Sequence, residues 1–127
     1  MEHLNRKTAK ANSYTEKVIQ IGEGNFLRAF VDWIIWKTNQ NTDFNASVVV
    51  VQPRAGGKAY MLNDQDGLFH VNLQGLSNGQ PIDSVDLVDV VSRAIDPYEQ
   101  FGDYLKLAEQ PDMRFIVSNT TEAGIAF

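Results

Sequence analysis

The chain has 127 residues, 43% of them hydrophobic and 21% charged, which suits one soluble globular domain and not two. Its formal net charge of -5 argues against a general nucleic-acid binder, which needs a basic surface; only Arg6, Lys7 and Lys10 cluster. The absence of cysteine and the presence of only 2 histidines, His3 and His70, exclude a disulfide framework and argue against a thiolate or His-rich metal site. Nothing resembles a secretory segment. The longest strongly apolar stretch, near Phe26 to Trp36, is broken by Arg28 and Asp32 and is too short to span a bilayer. The expectation is a cytoplasmic protein with neither a nucleic-acid nor a membrane partner.

In chain order, residues 1–16 are polar and aperiodic and read as a tail or a loosely docked arm. Lys17 to Ile21 is a strand candidate, and Gly22-Glu23-Gly24-Asn25 a turn. Phe26 to about Asn39 reads as helix, with Phe26, Phe30 and Ile34 on one stripe and Leu27, Val31 and Ile35 on another. Ser47 to Gln52 is an unbroken β-branched strand of the kind buried on both faces in a parallel sheet. Pro53 ends it, and Arg54 to Asp66, with Gly56-Gly57, reads as loop.

Leu68 to Leu73 alternates as a strand, Ser77-Asn78-Gly79-Gln80 supplies hairpin-turn chemistry, and Ser84 to Ile95 is again strand-like. Asp96-Pro97-Tyr98-Glu99 has the spacing of a helix start; the helix is expected to run to about Gln110. Arg114 to Ser118 is the last strand, followed by a turn at Asn119 to Gly124. The order β-α-β, β-rich insertion, β-α-β predicts an α/β chain: the N-terminal half of a Rossmann-like, doubly wound parallel sheet, with strand order 3-2-1-4. The predicted organisation is an arm over 1–16 and a partial dinucleotide-binding domain over 17–127, with no catalytic domain following.

The residues with most chemical content run from Ile21 to Arg28. Gly22 permits a tight turn and Gly24 a close approach of backbone to a pyrophosphate. The amides near Asn25, Phe26 and Leu27 then face the phosphates from a helix N-terminus. Leu27 stands where the usual fingerprint has its third glycine, and an ordinary glycine turn is the competing reading. At the end of the second strand, where an acid commonly meets the adenosine ribose, stand Gln52, able to bond a hydroxyl, and Arg54, able to accept a 2′-phosphate. These residues leave NAD and NADP both open. Lys106, His70 and the acids Asp64, Asp66, Asp83, Asp86 and Asp89 read as solvated or structural, and Trp33 and Trp36 as packing residues.

The run Gly22-Glu23-Gly24-Asn25-Phe26-Leu27-Arg28-Ala29-Phe30-Val31-Asp32-Trp33 resembles the N-terminal signature of the mannitol-dehydrogenase-like family of long-chain polyol and hexonate dehydrogenases. Val48 to Pro53, Gln65 to Phe69 and Ser118 to Ile125 resemble its hexonate-acting branch. The resemblance implies an NAD-linked oxidoreductase acting on a small-molecule sugar acid, in a protein several times longer than this chain. It implies cofactor contacts at Ile21, Gly22, Glu23, Gly24, Asn25, Phe26, Leu27, Arg28 and Gln52, and at Asn119, Thr120 and Thr121 after the fourth strand. It also implies a catalytic lysine in a helical domain. No position here matches that motif, so no catalytic residue is expected and the chain alone is expected to be inactive. A stand-alone nucleotide-binding module and a non-functional truncated product are the rival readings. Oligomeric state is left open.

Overall fold

The computed structural model describes residues 4–119. Residues 5–14 lie along the domain surface, tied down by polar contacts. The Arg6 guanidinium donates to the carbonyls of Asn12 (2.7 Å), Asp66 (3.1 Å) and Asp89 (3.1 Å). Asp89 returns the attachment, accepting from the Asn12 amide at 2.8 Å and the Tyr14 hydroxyl at 3.1 Å. The first strand, β1 (Thr15–Ile21), begins two residues before the expected Lys17.

The helix after it begins at Asn25 and Phe26, widens into a π-helical stretch over Leu27–Asp32 and continues as α1 (Trp33–Asn41). Its exit is clamped to the next strand: Asn39 Nδ2 donates to the Ala46 carbonyl and Asn39 Oδ1 accepts the Ala46 amide, at 2.8 and 3.0 Å. β2 (Ala46–Val51) is buried at every position, as its run of valines requires.

Residues 54–66, expected to be loop, contain a short helix, α2 (Ala59–Asp64). It buries Ala59 and Leu62, three residues apart and hence on one face. It stops in a Schellman arrangement, with Asp66 N–H bonded to Asn63 O (3.0 Å) and Gly67 N–H to Leu62 O (2.8 Å). Asp66, at φ 53°, takes the left-handed position there. Asn63 ties α2 to the sheet, its amide exchanging two bonds with the Ala94 backbone at 2.8 and 2.9 Å.

β3 (Phe69–Ser77) and β4 (Gln80–Val88) form an antiparallel hairpin. Its turn is Asn78-Gly79 at φ 53° and 78°, both left-handed as a primed turn demands. The single strand-like run expected over Ser84 to Ile95 is two strands in different sheets. β4 ends at Val88, buried Asp89 and Val90 intervene, and β5 (Val91–Ile95) joins the parallel sheet.

The next helix starts later than its capping pattern suggests. Asp96 does accept the Tyr98 amide at 2.9 Å, but this closes a turn. α3 (Phe101–Lys106) begins beyond it, relaxes into a 3₁₀ turn at Leu107–Glu109, and leads to β6 (Phe115–Ser118).

The main sheet has order β5-β2-β1-β6, all pairs parallel. Counting only its own strands, this is the expected 3-2-1-4. One core layer packs Val18, Val48 and Val50 against Ile35, Ala59, Leu62 and the hairpin residues Phe69, Val71 and Val88. The other packs Val49, Val51 and Ile95 against Leu107 and Tyr104. The sheet is therefore covered on both faces at its centre, around β2, whereas edge strand β6 leaves Phe115 and Ile116 exposed.

Candidate functional site

The register aligns Ile21 with both Val51 and Ser118, and Val51 with Ile95. All four strands thus end along one rim, and the loops that follow β1, β2 and β5 leave from it. The chain leaves β1 toward β2 and β5, then crosses back to place β6 on the other flank. The order reverses beside β1, where open α/β sheets bind ligands outside their strand carboxyl ends.

The Gly22 turn lies at this point. Gly22 has φ 131°, and its amide donates to the Val51 carbonyl at 2.9 Å. A Cβ there would sit 2.9 Å from Leu27 Cδ1, so Gly22 serves both the backbone and the packing of the helix onto the turn. Leu27, in place of a third glycine, is buried and fills that contact. Gly24 differs: a Cβ on it would meet nothing within 4 Å. The protein's own packing does not require glycine at Gly24; the exposed position is open to a ligand.

The first backbone bond of the helix runs from Arg28 N–H to Gly24 O at 3.2 Å. The amides of Asn25, Phe26 and Leu27 therefore precede the first helical donor and have no acceptor within the helix, the kind of group that can meet an anion at a helix N-terminus. Arg28 folds back over the turn. Its Nε donates to the Glu23 carbonyl at 3.1 Å and its Nη2 to Asn25 Oδ1 at 2.5 Å, and its guanidinium lies over the Phe69 ring. Phe26 is exposed and stacks on Phe30, with ring centroids 5.4 Å apart.

Gln52 has a different task from the one expected at the end of β2. It is buried, its Nε2 donates to the Arg54 carbonyl at 2.7 Å, and its Oε1 accepts the Ala59 amide at 3.1 Å. Both ends of the amide thus shape the loop that presents exposed Arg54 and Lys58. Gly57 packs so closely on Gln52 that a Cβ would fall 2.5 Å from its side chain. Lys58 shares a small cleft with Glu23 and Arg28 beside the glycine turn. Asn119 is exposed just past β6; Thr120 and Thr121 lie outside the described residues.

Residues 16–127 match the family described as the mannitol dehydrogenase Rossmann domain. The chain belongs to that family. Altronate oxidoreductase of Bacteroides thetaiotaomicron is 61% identical over 127 residues, covering 100% of this chain and 26% of that protein. Altronate oxidoreductase of Bacillus subtilis is 48% identical over 126 residues, again 26% of its length. This mannitol dehydrogenase Rossmann domain thus spans about a quarter of the curated relatives it matches. Among solved structures, a ternary complex of Pseudomonas fluorescens mannitol 2-dehydrogenase with NAD and D-mannitol superposes with a TM-score of 0.73. It covers 91% of this chain and 26% of the other, at 19% identity, a likeness of fold.

Two polar residues in this Rossmann domain escape a reading of the sequence. Gln20 on β1 and Asp32 on the helix are both 0% exposed. Sequence reading took Asp32 as a break in an apolar stretch, yet the π turn carries it inward with Leu27, five residues earlier. Two of the candidate acids prove structural: Asp86 accepts Trp33 Nε1–H at 3.0 Å, and Asp89 anchors the N-terminal arm. His70 is exposed on β3, while Trp33 and Trp36 pack against the core. Among the described residues, no cluster of acids and histidines could hold a metal, and no helix is long and apolar enough to cross a membrane.

Proposed function

We propose that this chain is the dinucleotide-binding part of an NAD-dependent oxidoreductase acting on a sugar acid, the altronate–tagaturonate pair. The observation that carries the cofactor half is the open face of Gly24 at the topological switch point. The substrate half rests on the altronate oxidoreductases to which the chain is similar. Bound there, a nicotinamide would supply hydride acceptance from a hydroxyl-bearing carbon, whose O–H proton would pass to a separate base, and in reverse would supply hydride to the keto carbonyl with a proton from the same group.

The residues present fit such a group. Gly22 and Gly24 let its pyrophosphate approach, the amides of Asn25, Phe26 and Leu27 supply donors, and Ile21 and Glu23 frame the turn. Arg28 holds the turn closed and adds positive charge beside it. Gln52 acts through the loop it folds, which leaves Arg54 and Lys58 to face the adenosine end. Asn119, Thr120 and Thr121 follow β6, next to β1, and are proposed to border the nicotinamide half. The substrate's proton donor is proposed to lie outside this chain.

The test is a fluorescence titration with NADH. Gly24→Val should weaken binding by at least about tenfold and leave thermal stability nearly unchanged, because the added side chain meets solvent. Unchanged affinity would remove the phosphate-turn assignment.

A further inference from the structure

Neither carboxylate oxygen of buried Asp32 has a hydrogen-bond partner among the described residues, and neither does Gln20 Oε1. The Gln20 amide lies beside Asp32, and its Nε2 donates to the Gly22 carbonyl at 3.0 Å. With Asp32 ionised, its two oxygens and Gln20 Oε1 are all buried acceptors without a donor. A protonated one supplies the single donor that this oxygen lacks.

Burial favours the neutral form. Desolvation pushes the Asp32 carboxyl up to about 7, against the opposing pull of the Gln20 amide and the Arg28 guanidinium. Arg28 stands one turn earlier on the same helix, where it is already engaged with Glu23 and Asn25. β1 contributes neutral Gln20. The hairpin meets the helix through Asp86, held by Trp33, and the glycine turn carries Glu23, one of whose oxygens is also buried and unpaired.

We propose that Asp32 is a positioning residue for the Gly22 turn: protonated, it donates to Gln20 Oε1, and Gln20 in turn holds the Gly22 carbonyl. The relay continues to the sheet, since the Gly22 amide is bonded to the Val51 carbonyl. Loss of the proton to solvent removes the donor and draws the Gln20 NH₂ toward the new charge. The Gly22 carbonyl is then released, and the turn loses its fixed shape as pH rises. Asp32 touches no ligand; it acts through Gly22. The consequence for affinity rests on the dinucleotide reading above, whereas the relay itself does not.

The experiment follows the Gly22 and Gly24 amide resonances of the ¹⁵N-labelled chain, as encoded, between about pH 5.5 and about pH 8.5. In the wild type they should move through one shared titration, and in Asp32→Asn they should stay flat. NADH affinity should fall by about tenfold across the same range in the wild type and hold its acid-side value in Asp32→Asn. Flat amides in the wild type, or an unchanged titration in Asp32→Asn, overturn the proposal. Should the variant not fold, the ¹³C signal of the wild-type Asp32 carboxyl replaces it: a midpoint shared with the Gly22 amide is expected, and separate midpoints overturn the relay. Failure of NADH to bind at every pH would sink the dinucleotide reading and leave the Gly22 titration to decide on Asp32.

Discussion

Replacing Asp32 with asparagine should stabilise the domain at neutral and alkaline pH and change little in acid. The carboxyl rises from its ordinary 3.8 to about 7 on folding. Between those values the folded protein holds a proton that the unfolded chain has lost, so wild-type stability falls as pH climbs through the window. Above about 7 the whole penalty is present. The displacement corresponds to about 4 kcal/mol at ~1.4 kcal/mol per pH unit, an upper value if the interior relaxes around the charge. Asparagine keeps the shape, donates to Gln20 Oε1 and does not titrate. The assay is urea unfolding of both proteins at several pH values, with equal m-values as the control for a common unfolded state. The stability difference should be near zero at about pH 4 and approach its full size by about pH 8. A difference independent of pH, or a wild type that gains on the variant with rising pH, would mean that Asp32 is ionised in the fold and would refute the reasoning.

Gly67→Ala should destabilise strongly, by at least about 2 kcal/mol, because φ is 77° and the new Cβ would lie 2.1 Å from the Val91 carbonyl oxygen. Thermal unfolding checks this, and a melting temperature within a degree or so of wild type would refute it. Affinity should favour NADH over NADPH; a preference for NADPH of about tenfold, or 1.4 kcal/mol, would instead give Arg54 or Lys58 the 2′-phosphate. With tagaturonate and NADH, the 127-residue chain should turn over at least about a hundredfold more slowly than a full-length relative, the smallest effect expected when no proton donor is positioned. Faster turnover would make Glu122, Lys58 and His70 the groups to test as the proton donor.

The parallel sheet was legible because its signals are local. Val48 to Val51 could only be a strand buried on both faces, and Asn78-Gly79 could only turn tightly. The glycine turn announced itself through its place between strand and helix. What escaped depends on partners distant in sequence. α2 has only two buried positions, and it is held by Asn63 on Ala94 and by Gln52 on Ala59. The break between β4 and β5 hides in an apolar run, because buried Asp89 answers to Asn12 and Tyr14. Gln52 carried the right polarity for a ribose contact, but its amide was already needed by the loop. Asp32 was missed because a helical count at 3.6 residues per turn gives the wrong azimuth once the helix widens.

That widened turn also makes the helix sensitive to length. A π turn holds one residue more than the α turn it replaces, so deletion of exposed Ala29 would let Leu27–Asp32 close as ordinary α-helix. Relative to the preceding glycine turn, Asp32 would then be carried back by about 100°, the rotation per residue of an α-helix. Loss of a single codon is therefore enough to swing the acid away from Gln20 and bring a neighbouring side chain toward its place. In a family alignment, a one-residue gap at this point would mark relatives that dispense with the buried acid. Their glycine turns would have to be secured by another route.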